Sequence, residues 1–285
     1  MVLSFLREWF RLTRFEHAVM LAFAVLIAET VALGALPPPT TVIALSLLVP
    51  VFSEMGAFAL NDYMDVETDR LNKKKDRPLV KGTIKPTTAL AFSLLALAIS
   101  TILAYFVGIF GFVIALVFNL VAVLYNWKLK DLPLAGNAYI ALTMAIPFIF
   151  GNFVVSSALS PIVLVLALLG FVAGLAREIV KSAQDMEGDV KARGSKTLPV
   201  VVGRKMALAI AIGLYLSFIP LTAVPFAMGL EPAPLPLAFV GAADAFILAI
   251  CYTIIRSPGR SFGFARNASL AAFMLGMAGI LLAAL

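Results

Sequence analysis

Asn61-Asp62-x-x-Asp65-x-x-x-Asp69 places four side chains with metal- or phosphate-directed chemistry within nine residues, and Asp185-x-x-x-Asp189 repeats the acidic spacing later in the chain. On a helix, residues four apart share a face. Asp65 and Asp69 therefore stack, with Asn61 and Asp62 one turn earlier, and Asp185 stacks on Asp189. Like charges so placed repel and destabilise a helix. A divalent cation removes that cost, and Mg²⁺ is commonly held by one or two carboxylates together with waters and phosphate oxygens. Two such clusters facing each other would suit a diphosphate bridged by two Mg²⁺. Bases follow each acid set, above all Arg77 and Lys81 after the first, and would neutralise the remaining phosphate charge.

The elements that must carry these residues are apolar. The 285 residues are 62% hydrophobic and only 13% charged, with a mean hydropathy of +1.02. A soluble protein of this size cannot bury so much apolar side chain, which points to a polytopic membrane protein. Runs of the length a bilayer requires fall at 16–33, 41–60, 87–106, 109–126, 135–153, 160–180, 206–227, 234–255 and 267–285. Pro50, Pro147 and Pro220 lie inside these runs and predict kinks, since neighbouring helices can satisfy the freed carbonyls. The single cysteine, Cys251, excludes an internal disulfide. Arg7, Arg11 and Arg14 precede an apolar stretch without a small-residue cleavage site, unlike a signal peptide.

All 22 Lys and Arg lie before the first run or in and beside the 2/3, 4/5, 6/7 and 8/9 connections. This positive-inside pattern predicts a cytoplasmic N-terminus and an external C-terminus in the cell membrane. It also accounts for the net charge of +6 without a nucleic-acid partner.

The two charged connections, 61–86 and 181–205, have the same order: helix end, acids, bases, a Pro-containing apolar stretch, then glycine. Gly82 follows Asp69 by 13 residues and Gly203 follows Asp189 by 14. The expected fold is an all-α membrane protein of nine transmembrane helices in one domain over 1–285. Two pseudo-repeated four-helix units and a ninth helix would surround a central cavity.

At these residues the chain resembles the UbiA family of intramembrane prenyltransferases. Asn61 to Asp69 matches that family's NDxxDxxxD motif, and Asp185-x-x-x-Asp189 its second DxxxD motif. The resemblance implies Mg²⁺-dependent transfer of a prenyl group from its diphosphate to an acceptor. Asp65, Asp69, Asp185 and Asp189 would serve the metals, and Asn61 would help position the diphosphate. The stretch from Arg177 to Pro199 is most similar to the archaeal branch that makes the second ether link of membrane lipids. That implies geranylgeranyl diphosphate as donor and geranylgeranylglyceryl phosphate as acceptor. The alternative acceptor is an aromatic ring such as 4-hydroxybenzoate.

Ionisation of an allylic diphosphate needs Lewis-acid and cationic help as charge builds on the leaving group. Lys81, Lys128 and Lys181 are placed to add it, and Arg177 lies one turn before Lys181. Asp62 or an oxygen of the released diphosphate would take the acceptor's proton. Lys73 to Lys75, Lys128 and Lys130 are available for an acceptor phosphate, although cytoplasmic lysines also serve topology. Glu54 and Asp244 lie within runs. Glu54, two turns before Asn61, is placed to orient the site, and Asp244 needs only a polar neighbour. Tyr125-Asn-Trp127 reads as an interfacial belt and Gly170-x-x-x-Gly174 as close helix packing. A transporter is the reading from another class. It is disfavoured because the acids gather at one side and not at the midplane.

Overall fold

The computed structural model describes residues 2–71, 74–259 and 262–285. Among them there is no strand, and nine helices are long and apolar enough to cross a membrane. The helices in chain order are α1 (Val2–Thr13), α2 (Phe15–Leu33), α3 (Thr41–Met64), α4 (Val66–Leu71), α5 (Pro78–Lys81), α6 (Pro86–Val107) and α7 (Ile109–Trp127). They continue as α8 (Ala135–Val155), α9 (Pro161–Arg193), α10 (Leu198–Val202), α11 (Arg204–Thr222), α12 (Val224–Ala227), α13 (Pro234–Arg256) and α14 (Phe262–Ala284). Each expected span has its helix. Pro50, Pro147 and Pro220 lie inside α3, α8 and α11 and do not end them.

Local signals explain the boundaries. Thr40 caps α3 by accepting from the Ile43 backbone N–H at 3.3 Å, the arrangement that satisfies an orphan donor of the first turn. Proline occupies the start of α5, α6, α10 and α13, where its missing N–H costs nothing. The chain passes from α6 to α7 at Gly108, whose φ of 147° is open only to glycine.

Two features depart from the sequence reading. Residues 2–13 form a helix of their own, α1, ahead of the first span. The second acidic motif lies on an uninterrupted helix, because α9 runs on to Arg193. The first motif lies across a break, with Asp65 as the C-cap of α3 and Asp69 on α4. The later parts of the two connections do correspond. Each contains a short helix with proline near its start, α5 or α10, closed by a positive-φ glycine, Gly82 or Gly203.

Packing divides the chain into two compact units of non-contiguous segments. The first gathers Met1–Phe23, Pro38–Asp131 and Gly188–Ser195; the second gathers Ala24–Pro37, Leu132–Glu187 and Lys196–Leu285. In the first, α3 lies close along α6. Ser93 donates to the Gly56 carbonyl at 2.8 Å and Ser100 to the Val49 carbonyl at 2.9 Å. Small residues that allow such approach are the usual glue between helices in lipid.

In the second unit, Gly170 and Gly174 of α9 do lie against α8. A Cβ on Gly170 would stand 2.5 Å from the Met144 carbonyl oxygen, and one on Gly174 3.1 Å from Met144 Cγ. Gly170→Ala is therefore expected to destabilise the protein by about 1–3 kcal/mol through overpacking. A lowered Tm in detergent, with the bilayer-extracted yield also reduced, is the measurement. Asp244 has the polar neighbour it needs, accepting from Thr222 Oγ1 at 3.0 Å.

Candidate active site

The site in the first unit starts at the last turn of α3. Asn61 Nδ2 donates to Asp65 Oδ2 at 3.1 Å and to Asn126 Oδ1 at 2.9 Å. Asn126 is buried on α7, where its own Nδ2 donates to the Ala122 carbonyl at 2.9 Å. This fixes which way the Asn61 amide points and holds one oxygen of Asp65 in place. The other oxygen, Oδ1, receives Lys130 Nζ at 2.6 Å from the 3₁₀ turn Leu129–Asp131. The next residue, Asp131, accepts from Ser195 Oγ at 2.6 Å. Ser195 follows α9, and its backbone N–H reaches the Asp189 carbonyl at 3.5 Å. One short turn thus touches Asp65 and the segment that carries Asp189.

Asp69 lies one helical turn beyond Asp65, its N–H donating to the Asp65 carbonyl at 2.7 Å. The i,i+4 relation expected from the spacing survives the break. Asp69 is almost fully buried and faces cations: Lys74 Nζ at 3.3 Å and Arg77 Nε at 3.7 Å.

Asp62 is only 1% exposed, and its Oδ1 receives two guanidinium groups, Arg77 and, at 3.0 Å, Arg14. Its Oδ2 is buried without a hydrogen-bond partner. Arg14 is the residue between α1 and α2. Its φ of 45° turns the chain there, and its guanidinium lies 4.1 Å from the Phe58 ring centroid, within cation–π range. Burial, and then the neighbouring Arg77, pull the Arg14 pKa down to about 10, against the attraction of Asp62, Asp69 and Glu54. Arg14 is still a cation at neutral pH. Burial acts on Arg77 in the same direction, but Asp62 and Asp69 outweigh it, and its pKa is raised above the usual arginine value.

The other sequence candidates are more dispersed. Lys81 Nζ lies 3.3 Å from Glu8 Oε1 on α1. Lys128 is exposed at the C-cap of α7, while Lys130, expected to be available for an acceptor phosphate, is engaged with Asp65. Arg177, Lys181, Asp185 and Asp189 follow one another at helical spacing along α9, each half-buried. Lys181 Nζ lies 3.1 Å from Glu178 Oε1. Lys74 contacts Asp69 and Lys75 is exposed; Lys73 lies outside the described residues.

Among the described residues, no three His, Cys, Asp or Glu side chains are grouped so as to hold a metal by themselves. Mg²⁺ needs only one or two carboxylates when phosphate oxygens complete its shell. Asp65 and Asp69 bring carboxylate oxygens, the donor type a divalent ion takes, and Lys130, Lys74 and Arg77 beside them bring charge suited to a phosphate.

Three contributors were not legible as site residues. Arg14 looked like topology charge, Asn126 like part of an aromatic belt, and Glu8 had no motif. An asparagine among the apolar residues of a span end was a signal for Asn126. Arg14 and Glu8 act across 48 and at least 73 residues of sequence, respectively, a separation that spacing does not reveal.

Among the described residues, nine helices long and apolar enough to cross a membrane, with buried carboxylates held by guanidinium and amide groups at the end of α3, define a multi-pass helical membrane protein. Residues 20–264 match the UbiA prenyltransferase family, and the chain belongs to that family. It is 33% identical over 255 residues to the digeranylgeranylglyceryl phosphate synthase of Thermococcus kodakarensis, covering 89% of both chains. To the synthase of the same name from Methanococcoides burtonii it is 34% identical over 283 residues, covering 95% of this chain and all of the other. Its fold matches that of a UbiA homologue from Aeropyrum pernix K1 with a TM-score of 0.76 at 22% identity, over 94% of this chain and 98% of the other. A UbiA homologue from Archaeoglobus fulgidus, solved with GPP and Mg²⁺ bound, matches with a TM-score of 0.68 at 23% identity, over 96% and 99%.

Proposed function

We propose that this protein transfers a geranylgeranyl group from geranylgeranyl diphosphate to the free hydroxyl of geranylgeranylglyceryl phosphate, the reaction for which the relatives just described are named. The observation that carries this is the similarity to those synthases over 89% and 95% of the chain, with Asn61 bonded to Asp65 and Arg77 shared by Asp62 and Asp69.

Asp65 and Asp69 would hold one Mg²⁺ and Asp185 and Asp189 a second. When bound, the ions would supply Lewis-acid stabilisation of the diphosphate as it leaves. Asn61 orients Asp65 and offers an amide to a phosphate oxygen. Lys74, Arg77 and Lys130, which lie against Asp69 and Asp65, would supply positive charge to the phosphate oxygens. Lys81, Lys128, Arg177 and Lys181 are the further cations on which this reading would draw. The bond from C1 of the prenyl chain to the diphosphate oxygen breaks, and the electron pair leaves with the diphosphate. The acceptor hydroxyl oxygen bonds to C1. Its proton passes to a released diphosphate oxygen, because Asp62 is enclosed and committed to two guanidinium groups. The apolar spans exclude water from the allylic cation and bury the tail, at about 0.8 kcal/mol per CH₂. The site-bearing ends of α3 and α9 lie on the cytoplasmic side, with the N-terminus, in this reading.

The test is an acceptor panel with radiolabelled geranylgeranyl diphosphate in membranes carrying the protein. Transfer to geranylgeranylglyceryl phosphate is expected, with little or none to 4-hydroxybenzoate. The reverse preference would assign the protein to aromatic prenylation and leave the metal chemistry unchanged.

A further inference from the structure

We propose that α1 is an in-plane membrane anchor, seated on a bilayer surface with anionic headgroups, and that through Glu8 it braces the segment from Arg77 to Thr83. At 3.6 residues per turn its side chains fall into three flanks. Leu12 and Thr13 are buried and Trp9 half-buried, on the side facing a cluster that includes Ala59, Leu79 and Ile84. The Trp9 ring stands edge-on to Phe92 at 5.0 Å. The next flank is apolar yet open, with Leu6 45% and Phe10 48% exposed. Beyond it lie Arg7 and Arg11. An order of protein-facing, apolar and basic flanks is that of a helix lying in a membrane interface, its apolar side in the acyl boundary and its basic side at anionic headgroups.

The open flank continues a lipid-facing surface. The Phe10 ring packs edge-on against Phe15 at 5.1 Å, and Phe15 opens the first span. Arg14, with its positive φ, makes the turn between them. The exposed Phe10 is thus in contact with the first residue of α2. This continuity, and the arginines beside it, favour a bilayer over a second protein as the occupant.

Glu8 lies where the basic flank meets the buried one. Its carboxylate receives Thr83 Oγ1 at 3.2 Å and faces Lys81 Nζ at 3.3 Å and Arg11 at 3.5 Å. Arg77, four residues before Lys81, contacts Asp62 and Asp69. Glu8 touches no reacting group in the reading above. It is a positioning residue, acting through a segment whose own phosphate role rests on that reading.

The experiment uses the full chain in a Cys251→Ala background, in phosphatidylcholine vesicles with or without phosphatidylglycerol. Nitroxide labels are placed singly by Leu6→Cys, Arg7→Cys and Phe10→Cys. Power saturation should show labels at 6 and 10 favouring oxygen over a water-soluble nickel reagent, and the label at 7 the reverse. Labels at 6 and 10 as open to nickel as that at 7 would overturn the anchor. Protection from both reagents would overturn it too, in favour of a protein neighbour. For the brace, a label at Lys85→Cys should gain mobility on Glu8→Gln or Phe10→Asp, a readout independent of turnover. The KM for the prenyl diphosphate should rise about two- to fivefold, the size expected for one partly exposed ion-pair contact, with kcat held. An unchanged label at 85 overturns the brace whatever the enzyme transfers. A mobile label with no transferase activity in the unmutated chain supports the brace and defeats the functional reading.

Discussion

Replacing Asp65 or Asp69 by alanine is expected to lower kcat/KM by about 10³-fold, and Asp185→Ala or Asp189→Ala to do the same. Loss of a preorganised charge that stabilises a leaving group costs roughly 10²–10³ in rate. A lost metal ligand stands at the upper end, because the ion's Lewis acidity goes with it. The carboxylates of Asp65 and Asp69 also balance Lys130, Lys74 and Arg77. Asp65→Ala leaves Lys130, whose side chain is 8% exposed, without its counter-charge, so some loss of Tm accompanies the kinetic loss. Metal binding separates the two effects. A ligand that binds only the folded state stabilises it by RT ln(1 + [L]/Kd). Mg²⁺ with a prenyl diphosphate analogue should therefore raise the Tm of the unmutated protein, and raise it much less in each variant. Turnover that resists EDTA, or near-normal activity in any two of the four variants, would defeat the metal assignment.

The fold was legible because lipid leaves the chain few choices. A spanning segment must satisfy its own backbone, so length and hydropathy alone locate the helices. The first site was legible in part. Asn61, Asp62, Asp65 and Asp69 are close in sequence and helical spacing places them together. Their partners were not legible: Asn126 reaches Asn61 and Lys130 reaches Asp65 over 65 residues each, and Arg14 reaches Asp62 over 48. Pairings of that separation depend on how α1, α3 and α7 pack, which no local pattern encodes. α1 was missed for a related reason. Its two arginines, with Arg14 just beyond it, account for topology, and its apolar residues are too few for a span, so the open stripe of Leu6 and Phe10 had no place in a count of crossings. The continuation of α9 through Asp185 and Asp189 was hidden by charge, which marks the end of a span without ending a helix.

Asp62→Asn is expected to destabilise the protein by about 3 kcal/mol and to raise the KM for the prenyl diphosphate about tenfold or more. Removing one charge of a buried pair leaves the other uncompensated, at roughly 3–5 kcal/mol. The low end applies because Arg14 and Arg77 keep about a fifth of their surface in contact with solvent, with side chains 21% and 23% exposed. Asparagine retains the shape and one acceptor oxygen but not the charge that two guanidinium groups share. Arg77 then leans further on Asp69, its other carboxylate neighbour at 3.7 Å, and competes with the metal there. Arg14→Gln added to Asp62→Asn removes one of the two stranded cations, and the double variant should recover part of the lost stability, a coupling that a double-mutant cycle measures directly. A catalytic base at this position behaves differently. Asp62→Asn would then lower kcat with Tm and KM unchanged, remove the acidic limb of the pH–rate profile, and show no recovery with Arg14→Gln. That pattern would return Asp62 to the reaction itself and require its enclosed carboxylate to open toward the acceptor during turnover.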